Sequence, residues 1–193
     1  MKDLYLYDRQ FTGLVCGVDE AGRGPLAGPV SAAAVIMPLD DIIEGIDDSK
    51  KLSENKRELL YDEIVSRAIA WKCVLIDSET IDEINILEAT KRAMREAIEG
   101  LGVSPDTVLI DAVKLGGENE YSIIKGDATS YNIAAASIIA KVTRDRLMLD
   151  YDKEYPEYGF KGHKGYGTRS HMDAIREHGP CPIHRRSFIT RIV

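Results

Sequence analysis

The chain has 193 residues, 44% of them hydrophobic and 30% charged, with a net charge of −7. That length supports one well-cored globular unit, and no run approaches the roughly 18 apolar residues of a membrane span. Three distant cysteines, Cys16, Cys73 and Cys181, argue against a disulfide framework and for a reducing, cytoplasmic setting, and the N-terminus from Met1 to Tyr5 lacks a signal-peptide apolar core.

In chain order, residues 14–18 are apolar and read as a buried strand ending at Asp19. Residues 28–37 are small and apolar and read as a second strand, closed by Pro38. Residues 47–53 are polar and loop-like, and Ser53 caps an expected helix with Leu59, Leu60, Ile64 and Ile69 near one stripe. Residues 71–76 form a third expected strand. Residues 78–100 read as one or two helices, with Ile81, Ile84, Leu87, Met94 and Ile98 recurring near helical spacing. Residues 107–110 and 121–124 are the fourth and fifth expected strands, the fourth ending at Asp111. A helix follows to about Leu149, capped by Ser130 or by Asp127. The turn-rich, aromatic C-terminal part, about 151–193, carries a further helix near 170–178. The pattern is mixed α/β in a single unit, 1–193, and it leaves the strand order open.

The residues that carry chemistry cluster at strand ends. The run Gly17-Val18-Asp19-Glu20-Ala21-Gly22-Arg23-Gly24 puts two carboxylates ahead of a glycine-rich turn, where the backbone can approach a ligand closely. Asp111 and Asp127 also sit at or just beyond strand ends, where open α/β sheets bind ligands. Gathered carboxylates repel unless cations lie between them, and hard cations such as Mg²⁺ prefer oxygen ligands. Two ions about 3.5–4 Å apart suit phosphodiester hydrolysis. Simpler roles stand beside each: a turn for Asp19, strand-end punctuation for Asp111, and helix capping for Asp127 and for Asp77. Glu20 faces away from Asp19 on a regular strand and needs a bulge to join it. The acid excess argues against a uniformly basic nucleic-acid binder. Lys50-Lys51, Lys56-Arg57, residues 161–164 and Arg185-Arg186 nevertheless form basic clusters, either a groove or solvated surface. Gly22, Gly24 and Gly28 miss the dinucleotide spacing by one residue. Cys181-Pro182-Ile183-His184 has zinc-like spacing without a second pair. All four histidines, His163, His171, His178 and His184, are C-terminal and read as surface or capping groups, with assistance to phosphate binding or proton transfer as the alternative for one of them.

From about Val15 to Phe188 these blocks resemble ribonuclease HII, the type 2 ribonuclease H family. The resemblance rests on residues 17–30, Asp48-Ser49-Lys50-Lys51-Leu52-Ser53, Lys125-Gly126-Asp127, residues 133–148, residues 163–168 and His184-Arg185-Arg186-Ser187-Phe188. It implies a ribonuclease H-like fold, a five-stranded mixed sheet flanked by helices with a helical C-terminal part. It implies cleavage of the RNA strand of RNA–DNA hybrids and incision 5′ of single ribonucleotides in duplex DNA, leaving 3′-hydroxyl and 5′-phosphate ends. Asp19, Glu20, Asp111 and Asp127 become the catalytic, metal-binding set for Mg²⁺ or Mn²⁺, with two ions when substrate is bound. Gly22, Arg23 and Gly24 become the loop that reads the ribose 2′-hydroxyl, the group that separates RNA from DNA. The same resemblance implies that Tyr166 packs on the deoxyribose after the ribonucleotide and that Ser49, Lys50 and Lys51 lie near the nucleic-acid backbone, and it makes His163 and Lys164 phosphate candidates. Ala112 stands where many relatives have glycine. No sliding-clamp peptide is evident, and a monomer is expected. Two rivals remain: a related nuclease of different specificity, which needs the carboxylates but not the Gly-Arg-Gly loop or Tyr166, and a hybrid-binding module without activity.

Overall fold

A computed structural model describes residues 3–193; Met1 and Lys2, where the reading of the N-terminus begins, lie outside the described residues. The chain forms helix α1 (Tyr5–Asp8), strands β1 (Val15–Ala21) and β2 (Val30–Ile36), helix α2 (Glu54–Arg67), strand β3 (Ala70–Ile76) and helices α3 (Ser78–Ile84) and α4 (Ile86–Glu99). Strands β4 (Thr107–Asp111) and β5 (Glu120–Ile123) follow, then the long α5 (Tyr131–Glu154) and the short C-terminal helices α6 (Phe160–His163), α7 (Arg169–His178) and α8 (Arg186–Ile189). The five strands make one sheet in the order β3-β2-β1-β4-β5. β1 pairs antiparallel with β2, and β2 with β3, whereas β4 runs parallel to β1 and β5 parallel to β4.

The two-residue period of a strand explains why β2 is buried throughout. Ala32, Ala34 and Ile36 face one core with Ala89, Ala93, Met94 and Ala97 of α4. Ala33 and Val35 face the other, with Leu60 and Ile64 of α2 and the alanine-rich start of α5. Small residues let α5 lie close to the sheet. A Cβ on Gly17 would fall 2.0 Å from the Asn132 carbonyl carbon, so at Gly17 the helix backbone rests directly on β1. A third apolar cluster joins Ala27 and Met148 of α5 to Tyr158, Phe160, Ile175, Cys181 and Ile189.

The expected strands and helices are present, with two shifted ends and one open alternative decided. β1 continues through both carboxylates to Ala21 instead of ending near Asp19, because β2 pairs with it as far as Ala21–Ser31. α5 runs on to Glu154. The segment 78–100 is two helices, broken at Asn85 (φ 67°), whose side chain accepts the Leu87 and Glu88 N–H groups. Among the described residues no helix is long and apolar enough to cross a membrane.

Candidate functional site

Parallel pairing of β1 and β4 sets Gly17 opposite Leu109 and Val18 opposite Ile110. One step further along the same register Asp19 and Asp111 stand side by side on the face covered by α5. Asp127 arrives from a 3₁₀ turn at Gly126–Ala128, just before α5. The Gly126 N–H donates to Asp111 Oδ1 at 2.7 Å, which ties this turn to the end of β4. One oxygen from each of Asp19, Asp111 and Asp127 lies within 4.8 Å of the others. The capping alternative for Asp127 is answered: Ser130 caps α5 and accepts the Ile133 N–H at 3.2 Å. Asp77, by contrast, does cap α3, through the Thr80 N–H.

The cluster is electrostatically costly by itself. Burial, then the charges of Glu20, Asp111 and Asp127, push Asp19 well above the usual carboxylate range. Burial also raises Asp111, partly offset by the Gly126 N–H and Lys50. The Lys50 ammonium lies 3.3 Å from Asp127 Oδ2 and supplies part of the missing positive charge. β1 stays in regular register with β2, without the bulge that would bring Glu20 onto the face of Asp19, and Glu20 stands beside the trio. Its oxygens fall outside the mutually close set, one of them 3.4 Å from Arg23 Nη1. The other, Oε2, is buried and has no hydrogen-bond partner among the described residues. Burial leads the causes that raise Glu20 too. An all-oxygen set with repelling charges and one orphaned buried oxygen fits a hard divalent cation.

Beside these carboxylates a cleft of about 220 Å³ is lined by Asp19, Glu20, residues 21–24, Ser49, Lys50, Asp111, Lys141 and Tyr166. The structure therefore gathers most of the expected site residues in one place. Three it does not. Lys51 is exposed and pairs with Asp47 at 3.1 Å. Both ring nitrogens of His163 are engaged by backbone, the Tyr158 carbonyl at 2.9 Å and the Gly165 N–H at 3.2 Å. The Lys164 ammonium donates to the Lys161 carbonyl at 2.6 Å.

Sequence reasoning missed two side chains that shape the cleft. Arg144 and Arg185 are 1% and 0% exposed and form no ion pair among the described residues. Arg185 donates to the carbonyls of Gly22 (2.6 Å), Arg23 (2.9 Å) and Gly28 (2.9 Å). Arg144 donates to those of Ala27 (3.0 Å), Pro29 (2.9 Å) and Lys164 (2.9 Å). Two planar guanidinium forks thus hold the turn after β1 by its carbonyl oxygens. A trans peptide points its C=O and N–H in opposite directions. With the Gly22 and Arg23 carbonyls on Arg185, the Arg23 and Gly24 N–H groups, on residues that line the cleft, turn away from it. Neither donates to any group among the described residues. The available signal was the block His184-Arg185-Arg186, which reads by itself as surface charge.

The Ribonuclease HII family profile matches residues 16–191. Ribonuclease HII of Ruminiclostridium cellulolyticum is 58% identical over 181 residues, covering 93% of this chain and 71% of that protein. Among solved structures, the ribonuclease H2 from Pyrococcus horikoshii superposes with a TM-score of 0.80 at 27% identity, covering 93% and 97% of the two chains. The RNase HII of Archaeoglobus fulgidus, solved as a complex with PCNA, gives 0.76 at 26% identity, covering 92% and 96%. The five-stranded mixed sheet with its flanking helices is the ribonuclease H-like fold that the sequence resemblance implied.

Proposed function

The chain belongs to the ribonuclease HII family, the metal-dependent endonucleases that cut RNA in RNA–DNA hybrids, and from that premise we propose its finer activity: incision 5′ of a single ribonucleotide in duplex DNA, leaving 3′-hydroxyl and 5′-phosphate ends. Asp19, Glu20, Asp111 and Asp127 hold two divalent cations, Mg²⁺ or Mn²⁺. The observation that carries this reading is the mutually close trio of buried Asp19 and Asp127 and half-buried Asp111, with the orphaned Glu20 Oε2 beside it. When bound, such cations supply activation of the attacking water and charge stabilisation at the leaving oxygen.

The protein's own groups bind and orient. Arg185 fixes the Gly22-Arg23-Gly24 backbone and Arg144 its return through Ala27 and Pro29 before substrate arrives, so that the free N–H groups of Arg23 and Gly24 meet a ribose 2′-hydroxyl without reorganising. The Arg23 side chain, 42% exposed, is placed to meet a phosphate. Tyr166, 44% exposed on the cleft wall, packs on the sugar that follows the ribonucleotide, where a second 2′-hydroxyl would crowd the ring. Ser49 and Lys50 line the same cleft and face the nucleic-acid backbone. Lys51, on the same loop, contributes positive charge further out.

The test is a DNA duplex with one ribonucleotide, incubated with Mg²⁺ or Mn²⁺, beside a chelated sample and an all-DNA duplex. Metal-dependent incision only on the 5′ side of the ribonucleotide is expected. Cutting of all-DNA would favour a nuclease of broader specificity, and binding without cutting under both metals would favour the inactive module.

A further inference from the structure

Two histidines lie outside the carboxylate site and inside the C-terminal core: His171 on α7 is 0% exposed and His184, ahead of α8, is 2% exposed. Their hydrogen bonds allow one proton arrangement. The Cys181 backbone N–H donates to His184 Nδ1 at 3.0 Å. A backbone amide always carries its proton, so neutral His184 has its own on Nε2. That nitrogen lies 3.0 Å from His171 Nε2. His184 therefore donates, His171 Nε2 accepts, and the proton of neutral His171 sits on Nδ1. That Nδ1 is 2.9 Å from the Tyr166 carbonyl, which can only accept. The order runs Cys181 amide, His184, His171, Tyr166 carbonyl, with no free choice along it.

We propose that His171 and His184 are positioning residues that set Tyr166 in the cleft and thereby sharpen the preference for an RNA-to-DNA junction. The proposal rests on the role given to Tyr166 above. The surroundings support it. The His163 ring stacks on His171 with centroids 4.4 Å apart, and Phe160 and Tyr158 close over His171 and His184 at 5.4 Å and 4.9 Å. Burial pushes both imidazoles down to about 4, helped at His184 by the charge of His171, so both stay neutral at working pH. The Cys181 thiol, 3.1 Å from His184 Nδ1, is pushed up by burial to about 11 and keeps its proton. The same short segment carries Arg185 and pairs His184 with Ala27, so the imidazoles tie the Tyr166 loop to the strut that holds the Gly22-Arg23-Gly24 turn.

Two measurements test it together. Long-range ¹H–¹⁵N spectra of the wild-type protein are expected to show His171 as the Nδ1–H tautomer and His184 as the Nε2–H tautomer, both unchanged from pH 8 to 5.5. An Nε2–H tautomer at His171, or titration in that range, overturns the arrangement. Cleavage ratios between a junction duplex and a uniform RNA–DNA hybrid are then compared for wild type, Tyr166→Ala, His171→Leu and His171→Asn. Losing one hydrogen bond to Tyr166 is expected to lower the junction ratio of His171→Leu by about two- to tenfold. His171→Asn, whose amide can still donate from the Nδ1 position, recovers part of it. If Tyr166→Ala keeps the wild-type ratio, the role of Tyr166 and the proposal fall together. If Tyr166→Ala loses the ratio and a folded His171→Leu keeps it, the proposal alone is wrong.

Discussion

Gly22 and Gly24 flank one arginine, and the structure separates what a methyl group does at each. Gly24 has an ordinary φ, and a Cβ there would meet only Tyr166 Cε1, at 3.7 Å. Gly24→Ala therefore leaves the protein's stability within about 0.5 kcal/mol of wild type. The same methyl stands beside Tyr166, in the space given to the substrate sugar, next to the free N–H of residue 24. Loss of one hydrogen bond with a displacement of about 1 Å corresponds to roughly 10- to 100-fold in kcat/KM on a single-ribonucleotide duplex. Gly22 is the opposite case. Its φ is +91°, and a Cβ would fall 2.1 Å from Arg144 Nε and 2.9 Å from the Pro29 carbonyl. Backbone strain and overpacking together cost about 2–5 kcal/mol, or about 2–4 °C of Tm for each kcal/mol in a chain of this size. Thermal melting and steady-state cleavage of both variants provide the assay. Wild-type kcat/KM in Gly24→Ala would remove Gly24 from the substrate surface. Wild-type melting in Gly22→Ala would contradict the packing of the turn against Arg144.

Other consequences follow from the same residues. Asp19→Asn keeps an oxygen for the Glu20 N–H, 2.7 Å away, while removing a desolvated charge, so it raises the metal-free Tm by a few degrees, about 1–2 kcal/mol; a lower Tm would deny that the cluster is strained. In that background the acid limb of stability includes the imidazole pair. With folded values near 4 against about 6.5 unfolded, the contribution of His171 and His184 is complete above pH 6.5 and lost as pH falls toward 4, at up to about 1.4 kcal/mol per pH unit for each ring. The raised carboxylates run the other way, their contribution being lost as pH rises; Asp19→Asn removes one while Asp8, Glu20 and Asp111 remain, so the imidazole share is read as the difference between this background and His171→Leu within it, and identical Tm profiles of the two between pH 7 and 5 would contradict the neutral buried pair. Arg185→Lys replaces a three-pronged fork by one ammonium and strands two of three carbonyls, costing about 2–3 kcal/mol of stability and lowering cleavage while leaving Mn²⁺ affinity near wild type. Unchanged melting and cleavage would show that the turn holds itself.

Legibility in the sequence tracked local chemistry. The apolar run ahead of Asp19, the small-residue second strand and the Ser53 cap each carry their structural instruction within a few residues, and each is present in the fold. The carboxylates were visible because strand ends and glycines mark them. The strand order β3-β2-β1-β4-β5 was not, since nothing local says that Asp111 lies beside Asp19. Strand-face parity was legible at Glu20: without a bulge its oxygens stay outside the close set, one of them against Arg23. Arg144, Arg185, His171 and His184 were hidden for a different reason. Arginine is normally exposed, and its acceptors here are backbone carbonyls, whose presence no residue type advertises. Histidines on turn-rich segments look like surface groups until Phe160 and Tyr158 close over them and Ala27 pairs with His184.

The central claim is that the trio at the ends of β1, β4 and the 3₁₀ turn holds the catalytic cations. Asp111→Asn tests it most directly, because the amide oxygen can still accept the Gly126 N–H and keep the fold. Circular dichroism and melting should match wild type, and binding of an RNA–DNA hybrid should persist. Cleavage with either Mg²⁺ or Mn²⁺ should fall to background. A folded Asp111→Asn protein that cleaves at near wild-type rate would contradict the account.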